Sequence, residues 1–138
     1  MARIAFIDVT VTVMYGGIQT AVWRLADILA RAGHEIAIFG GEGNIRPANL
    51  HPNITVHTFP FRPREKVLDI GSRFQRIVER ASHARHARHA FAAGNYDWAV
   101  LTKPFDFYWP WILPKGCKTR FCFMSGGTDF FAGDRFLS

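Results

Sequence analysis

Cysteine is nearly absent: Cys117 and Cys122 are the only two in 138 residues, five positions apart. With no other thiol and no suitably spaced histidine, the pattern speaks against a metal site, and both are read as reduced, mostly buried thiols. Long apolar runs are missing too. Nothing approaches the ~18–20 residues a membrane-crossing helix needs. The N-terminal run Ile4-Ala5-Phe6-Ile7 is cut at Asp8, too short for the core of a secretory leader, so the chain is read as cytosolic. G-x-G-x-x-G does not occur, and neither does a Gly-Lys-Ser/Thr phosphate loop, which argues against a dehydrogenase and a nucleoside triphosphatase. No Asp-x-Asp pair is present to hold a divalent cation.

What is present suits a single soluble domain: 49% apolar and 20% charged residues. The net charge of +6 is uneven, because residues 62–89 carry eight Arg or Lys against Glu65, Asp69 and Glu79. Any anionic partner belongs on that segment. On a helical wheel Arg73, Arg76, Arg80 and His83 share one side, opposite Phe74, Val78 and Ala81. Such a face suits either plain solvation or the surface of an anionic membrane. It would also suit a nucleic-acid backbone, but no base-reading motif accompanies it, so nucleic acid is not expected as a partner.

Apolar β-branched runs alternate with helical patterns, the mark of an α/β domain with a mostly parallel, doubly wound, Rossmann-like sheet. The strands expected are Arg3–Val9, Glu35–Phe39, Ile54–Phe59, Tyr96–Thr102 and Arg120–Met124. The first is continuously apolar and so central; the third alternates and so is peripheral. Between the first two, Ile18, Val22, Leu25, Leu29 and Ala32 form one helical stripe, Gln19, Arg24, Asp27 and Arg31 face away, and Gly33 stops the helix. A second helix is expected from Val67 to Ala93, with an apolar stripe through Val67, Ile70, Phe74, Ile77, Val78, Ala81 and Ala84.

In such a sheet ligands bind at the carboxyl ends of the strands. Three glycine- or lysine-bearing turns fall there. Gly16 and Gly17 stand between a strand and a helix, where they permit positive φ and close backbone approach, and the helix N-terminus favours an anion. The rival reading is a plain tight turn. Lys103, before Pro104, either reaches a phosphate as a point charge or sits in water. Ser125-Gly126-Gly127-Thr128-Asp129 offers hydroxyl donors and a carboxylate for a substrate, or serves only its own backbone. Phe105, Phe107, Tyr108, Trp109 and Trp111 would stack on a sugar or line a groove, though clusters like this are more often core.

The opening Arg3-Ile-Ala-Phe-Ile-Asp-Val9, the turn Tyr15-Gly-Gly-Ile-Gln-Thr-Ala-Val22 and the stretch Gly33-His-Glu-Ile36 resemble the N-terminal lobe of family 4 (group 1) glycosyltransferases. The resemblance extends over essentially all of residues 1–138. It implies the GT-B architecture, in which this would be the acceptor-side lobe, with the donor-binding lobe not included. It implies sugar transfer from a nucleotide-sugar substrate to a glycan or lipid-linked acceptor, with retention and with neither metal nor organic cofactor. Gly16, Gly17 and Gln19 would lie beside the donor diphosphate or an acceptor phosphate. Lys103, Ser125, Gly126, Gly127, Thr128 and Asp129 would face the acceptor. Thr128-Asp129 departs from the pattern, since many members carry a histidine there. The resemblance implies a chain inactive alone, completed by a second chain carrying the donor lobe or by a longer reading frame. It also raises the membrane reading of Arg73, Arg76 and Arg80, at the inner face of the membrane. The alternative, from a different class, is a non-enzymatic binding or adaptor module using the same sheet edge.

Overall fold

A computed structural model describes residues 1–60, 72–102, 109, 113 and 117–124, with the backbone alone for residues 72–80 and 82. Five strands make one all-parallel sheet: β1 (Arg3–Ile7), β2 (Glu35–Gly41), β3 (Ile54–Phe59), β4 (Trp98–Leu101) and β5 (Arg120–Phe123). Helix α1 (Gly17–Arg31) links β1 to β2, and α2 (Ser72–Gly94) precedes β4. The spatial order is β3-β2-β1-β4-β5, so the chain winds outward in one direction from β1 and then in the other. The Rossmann-like α/β reading holds, with β1 at the centre and β3 at an edge. The winding reverses between β1 and β4, where sheets of this kind open a crevice beyond their carboxyl ends.

The alternation of β1 sorts its side chains between two cores. Ile4 and Phe6 join Val22, Ala26 and Ala30 of α1; Ala5 and Ile7 join Ala84, Ala87 and Phe91 of α2. Burying a large apolar side chain contributes roughly 1.5–3 kcal/mol, so covering both faces fixes β1 firmly. Trp109 is fully buried against Phe91, 5.3 Å between ring centroids, which makes it core. The other four aromatics of that stretch lie outside the described residues.

Several local expectations are corrected. β1 ends at Ile7 rather than Val9, because the Asp8 carboxylate accepts the Thr10 N–H and starts a 3-10 turn over Val9–Thr12. The expected α1 stripe holds at Val22, Leu25 and Leu29, but the fully buried positions are Gln19, Val22, Ala26 and Ala30, so Gln19 faces inward, and Ala32 is exposed. Small Ala26 and Ala30 let the helix approach the sheet closely, while Leu25 and Leu29 flank the contact. At the far end Gly33, at φ +98°, closes α1 as expected. Its N–H donates to Ala30 and that of His34 to Leu29, a Schellman closure.

On α2 the expected apolar stripe holds at Ala84, which is buried, but two other positions differ. His83 is fully buried and its Nε2 donates to the Gly40 carbonyl at 2.8 Å, while Ala81 is exposed. His83 therefore does not belong to a basic outer face with Arg73, Arg76 and Arg80. Cys117 is exposed rather than buried; Cys122 is half-buried, and burial pushes its thiol upward. Both are free.

Candidate functional site

The carboxyl ends of β1 and β4 are neighbours, Ile7 pairing in register with Leu101. One residue on in each chain segment stand Asp8 and Thr102, and both are buried. By the two-residue alternation of a strand, each follows the side chains that face α1. Beyond Asp8, the 3-10 turn buries Thr10 and Thr12, and the first turn of α1 buries Gln19. Together with His83 on the Gly40 carbonyl, these are the six buried polar or charged side chains among the described residues. All six stand at the carboxyl-terminal end of the sheet.

Directed hydrogen bonds join three of them. Gln19 Nε2 donates to Thr10 Oγ1 at 2.9 Å, and Thr10 Oγ1 donates to Asp8 Oδ1 at 2.7 Å. The Thr10 N–H adds a 2.9 Å bond to the same Asp8 oxygen. Trp23 Nε1 donates to the Val11 carbonyl at 3.3 Å, a second tie between α1 and the turn. Thr12 donates to the Gly41 carbonyl and packs where a side chain at Gly40 would sit, which is why β2 carries glycine there. Thr102 Oγ1 is buried, with no hydrogen-bond partner among the described residues.

Gly16 and Gly17 sit at the start of α1 as expected, but two details differ. They follow the 3-10 turn, not the strand directly, and neither has positive φ: Gly16 is fully extended at φ 176°. A Cβ on Gly16 would meet the Gln19 side chain, whereas one on Gly17 would meet open space. The fold thus has no steric need for glycine at Gly17. The N-cap residue Gly16 supplies no side-chain hydrogen bond, and no acidic residue lies in the first turn. Gln19, three residues after the cap, would ordinarily fold back in a capping box; it is committed to Thr10 instead. The positive end of α1 is left without a side-chain counterpart from its own first turn.

Beside that terminus runs a groove of about 230 Å³, with Tyr15, Gly16, Thr20 and Trp23 on one side and Ile45 and Arg46 on the other. Arg46 is exposed and places a cation next to the helix N-terminus, while Tyr15 presents an exposed ring. A larger groove, about 630 Å³, lies at the opposite end of the sheet among Arg3, Glu35, Asn53, His57 and Tyr96. Its charges are engaged with each other: Arg3 pairs with Glu35 at 3.5 Å and stacks over Tyr96 at 5.5 Å. Volume and buried polar chemistry point to opposite ends, and the chemistry is the better guide, because buried polar groups are costly unless used.

Of the residues expected at the site, Gly16, Gly17 and Gln19 are brought together, with Gln19 below the surface as a tether. Lys103, Ser125, Gly126, Gly127, Thr128 and Asp129 lie outside the described residues. Arg73, Arg76 and Arg80 lie on the described backbone of α2. Asp8, Thr10, Arg46 and Thr102 were missed. The Asp-x-Thr spacing at Asp8, an Asx-turn signal, would have found the first two.

No protein-family model and no curated protein sequence matches the chain. Among solved structures, sucrose-phosphate synthase from Thermosynechococcus elongatus superimposes with a TM-score of 0.62 at 14% identity, covering 89% of this chain. The chain corresponds to 32% of that protein's length. The likeness is one of fold: a Rossmann-like α/β domain.

Proposed function

We propose that the carboxyl-terminal end of the sheet is the acceptor-side half of a family 4 (group 1) glycosyltransferase site. It works with a donor-binding lobe supplied elsewhere in the polypeptide or by a second chain. The reaction is transfer of a sugar from a nucleotide-sugar to a glycan or lipid-linked acceptor, retaining and independent of metal. The observation that carries this reading is the gathering of all six buried polar side chains, among the described residues, at one end of the sheet. The fold likeness to a sucrose-phosphate synthase supports sugar transfer in general.

In this reading the free N–H groups at Gly17 and Ile18 hold a phosphate or diphosphate oxygen, since they carry the positive end of the helix dipole. Gly17 lets the ligand approach the backbone, and Arg46 adds a cation across the groove. The basic segment of α2 rests on an anionic membrane surface through Arg73, Arg76 and Arg80, without His83.

The test is a backbone-amide NMR titration of the purified chain with UDP-glucose, GDP-mannose and inorganic pyrophosphate at low salt. Shifts centred on Gly16 to Thr20 are expected. Uniformly unmoved amides in that segment, for all three probes, would overturn the proposal.

A further inference from the structure

A helix N-terminus that binds an anion must be held still, because its N–H groups act only over the first turn. Nothing within the first turn of α1 does this by the usual means: the cap residue is glycine and the capping box is not closed. The chain of bonds Gln19 to Thr10 to Asp8 takes its place. It runs from the third residue of the helix, through the hydroxyl of the 3-10 turn, to a carboxylate at the end of the central strand. Every member is at least nine-tenths buried, so the bonds are shielded from competing water.

The direction of the bonds matters as well. Each donor points toward Asp8, so the carboxylate polarises the Thr10 hydroxyl, which in turn is the better acceptor for the Gln19 amide. The Gln19 side chain lies against Gly16, where an added Cβ would meet its Oε1, while its amide nitrogen is held by Thr10. One network therefore fixes where the helix begins. At the same end of the sheet, the buried Thr102 hydroxyl has no hydrogen-bond partner among the described residues.

We infer that Asp8, Thr10 and Gln19 are positioning residues for the anion-binding terminus of α1: they hold in place the backbone groups that meet the ligand. This rests on the proposed function above. Its test separates the two. Pyrophosphate is titrated into the 138-residue chain by calorimetry at low ionic strength, for wild type, Thr10→Val, Thr10→Ser and Gln19→Met, with Tm measured for each.

Thr10→Val keeps the shape and removes the hydroxyl. It should weaken binding about tenfold, the scale of a lost charge-assisted hydrogen bond, and Thr10→Ser should restore it. Gln19→Met should match Thr10→Val, and serves if the valine variant does not fold. A purely structural network would instead show affinity following Tm, with Thr10→Ser no better than its stability predicts. Equal affinities across the folded variants would overturn the positioning role and leave the phosphate site standing. No binding by wild type would overturn both.

Discussion

The two ends of the sheet are built on opposite plans. At the amino-terminal end, polar groups stay near water: Arg3 and Glu35 are about half exposed and meet at 3.5 Å, and Asp97 takes the Arg3 N–H at 2.8 Å in an exposed bond. At the carboxyl-terminal end, Asp8, Thr10, Thr12, Gln19 and Thr102 are buried. Exposed ion pairs contribute little and are replaceable, whereas buried polar groups lose solvation and must be compensated. The end where the chain accepts that cost is the end where parallel sheets bind ligands, and the larger groove at the other end does not change this.

The contrast breaks if both ends tolerate substitution equally. Asp8→Ala removes both bonds from Thr10, and should cost about 2 kcal/mol, given roughly 1 kcal/mol per net hydrogen bond. Glu35→Ala, which breaks the exposed pair, should cost no more than about 0.5 kcal/mol. Urea denaturation of the two variants beside wild type measures the difference. Similar midpoints would show that burial of the Asp8 network carries no special energetic weight.

Two smaller substitutions ask whether the carboxyl-terminal end is kept for ligand rather than for stability. Thr102→Val replaces a buried hydroxyl, unpartnered among the described residues, with a methyl group of the same shape, so stability should rise by about 1 kcal/mol. Nucleotide-sugar affinity should fall in the same variant. Gly17→Ala adds a Cβ into open space on a residue without positive φ, and should gain roughly 0.5 kcal/mol of helix stability while weakening pyrophosphate binding. A gain in Tm with unchanged binding, in both variants, would mean that neither residue serves a ligand.

The same contrast explains what could be read from the sequence. β1, β2 and the closure at Gly33 were legible, because a continuous apolar run and a glycine after an amphipathic helix each have one reading. Helix α2 was not. Among the described side chains its buried positions include His83, Ala84, Ala87 and Phe91, three of them small or polar, so the apolar stripe expected through Ala81 and Ala84 meets the buried face at Ala84 and misses it at Ala81. The site was half legible: Gly16 and Gly17 announced a helix N-terminus. The tether beneath them depends on Asp8 and Thr10 lying below Gln19, a juxtaposition created by the 3-10 turn. Sequence treated Gln19 as outward because glutamine usually is.

The amino-terminal end has its own, gentler sensitivity. His57 lines the larger groove, stacked on Phe39 with ring centroids 5.1 Å apart, and burial holds its pKa below the ordinary value of 6.5. The neutral imidazole is therefore the form the fold favours. As pH falls through 6.5 the unfolded chain binds the proton before the folded one does, so stability declines with falling pH. The decline stops once pH passes below the folded-state value, where both forms are protonated. His57→Gln should flatten this part of the stability curve. Thermal melts of wild type and variant from pH 7.5 down to about 5 read the difference, a window set by the histidine range. Parallel curves would show that burial at this end is too slight to shift a titration, which would sharpen the contrast with the sealed carboxyl-terminal network.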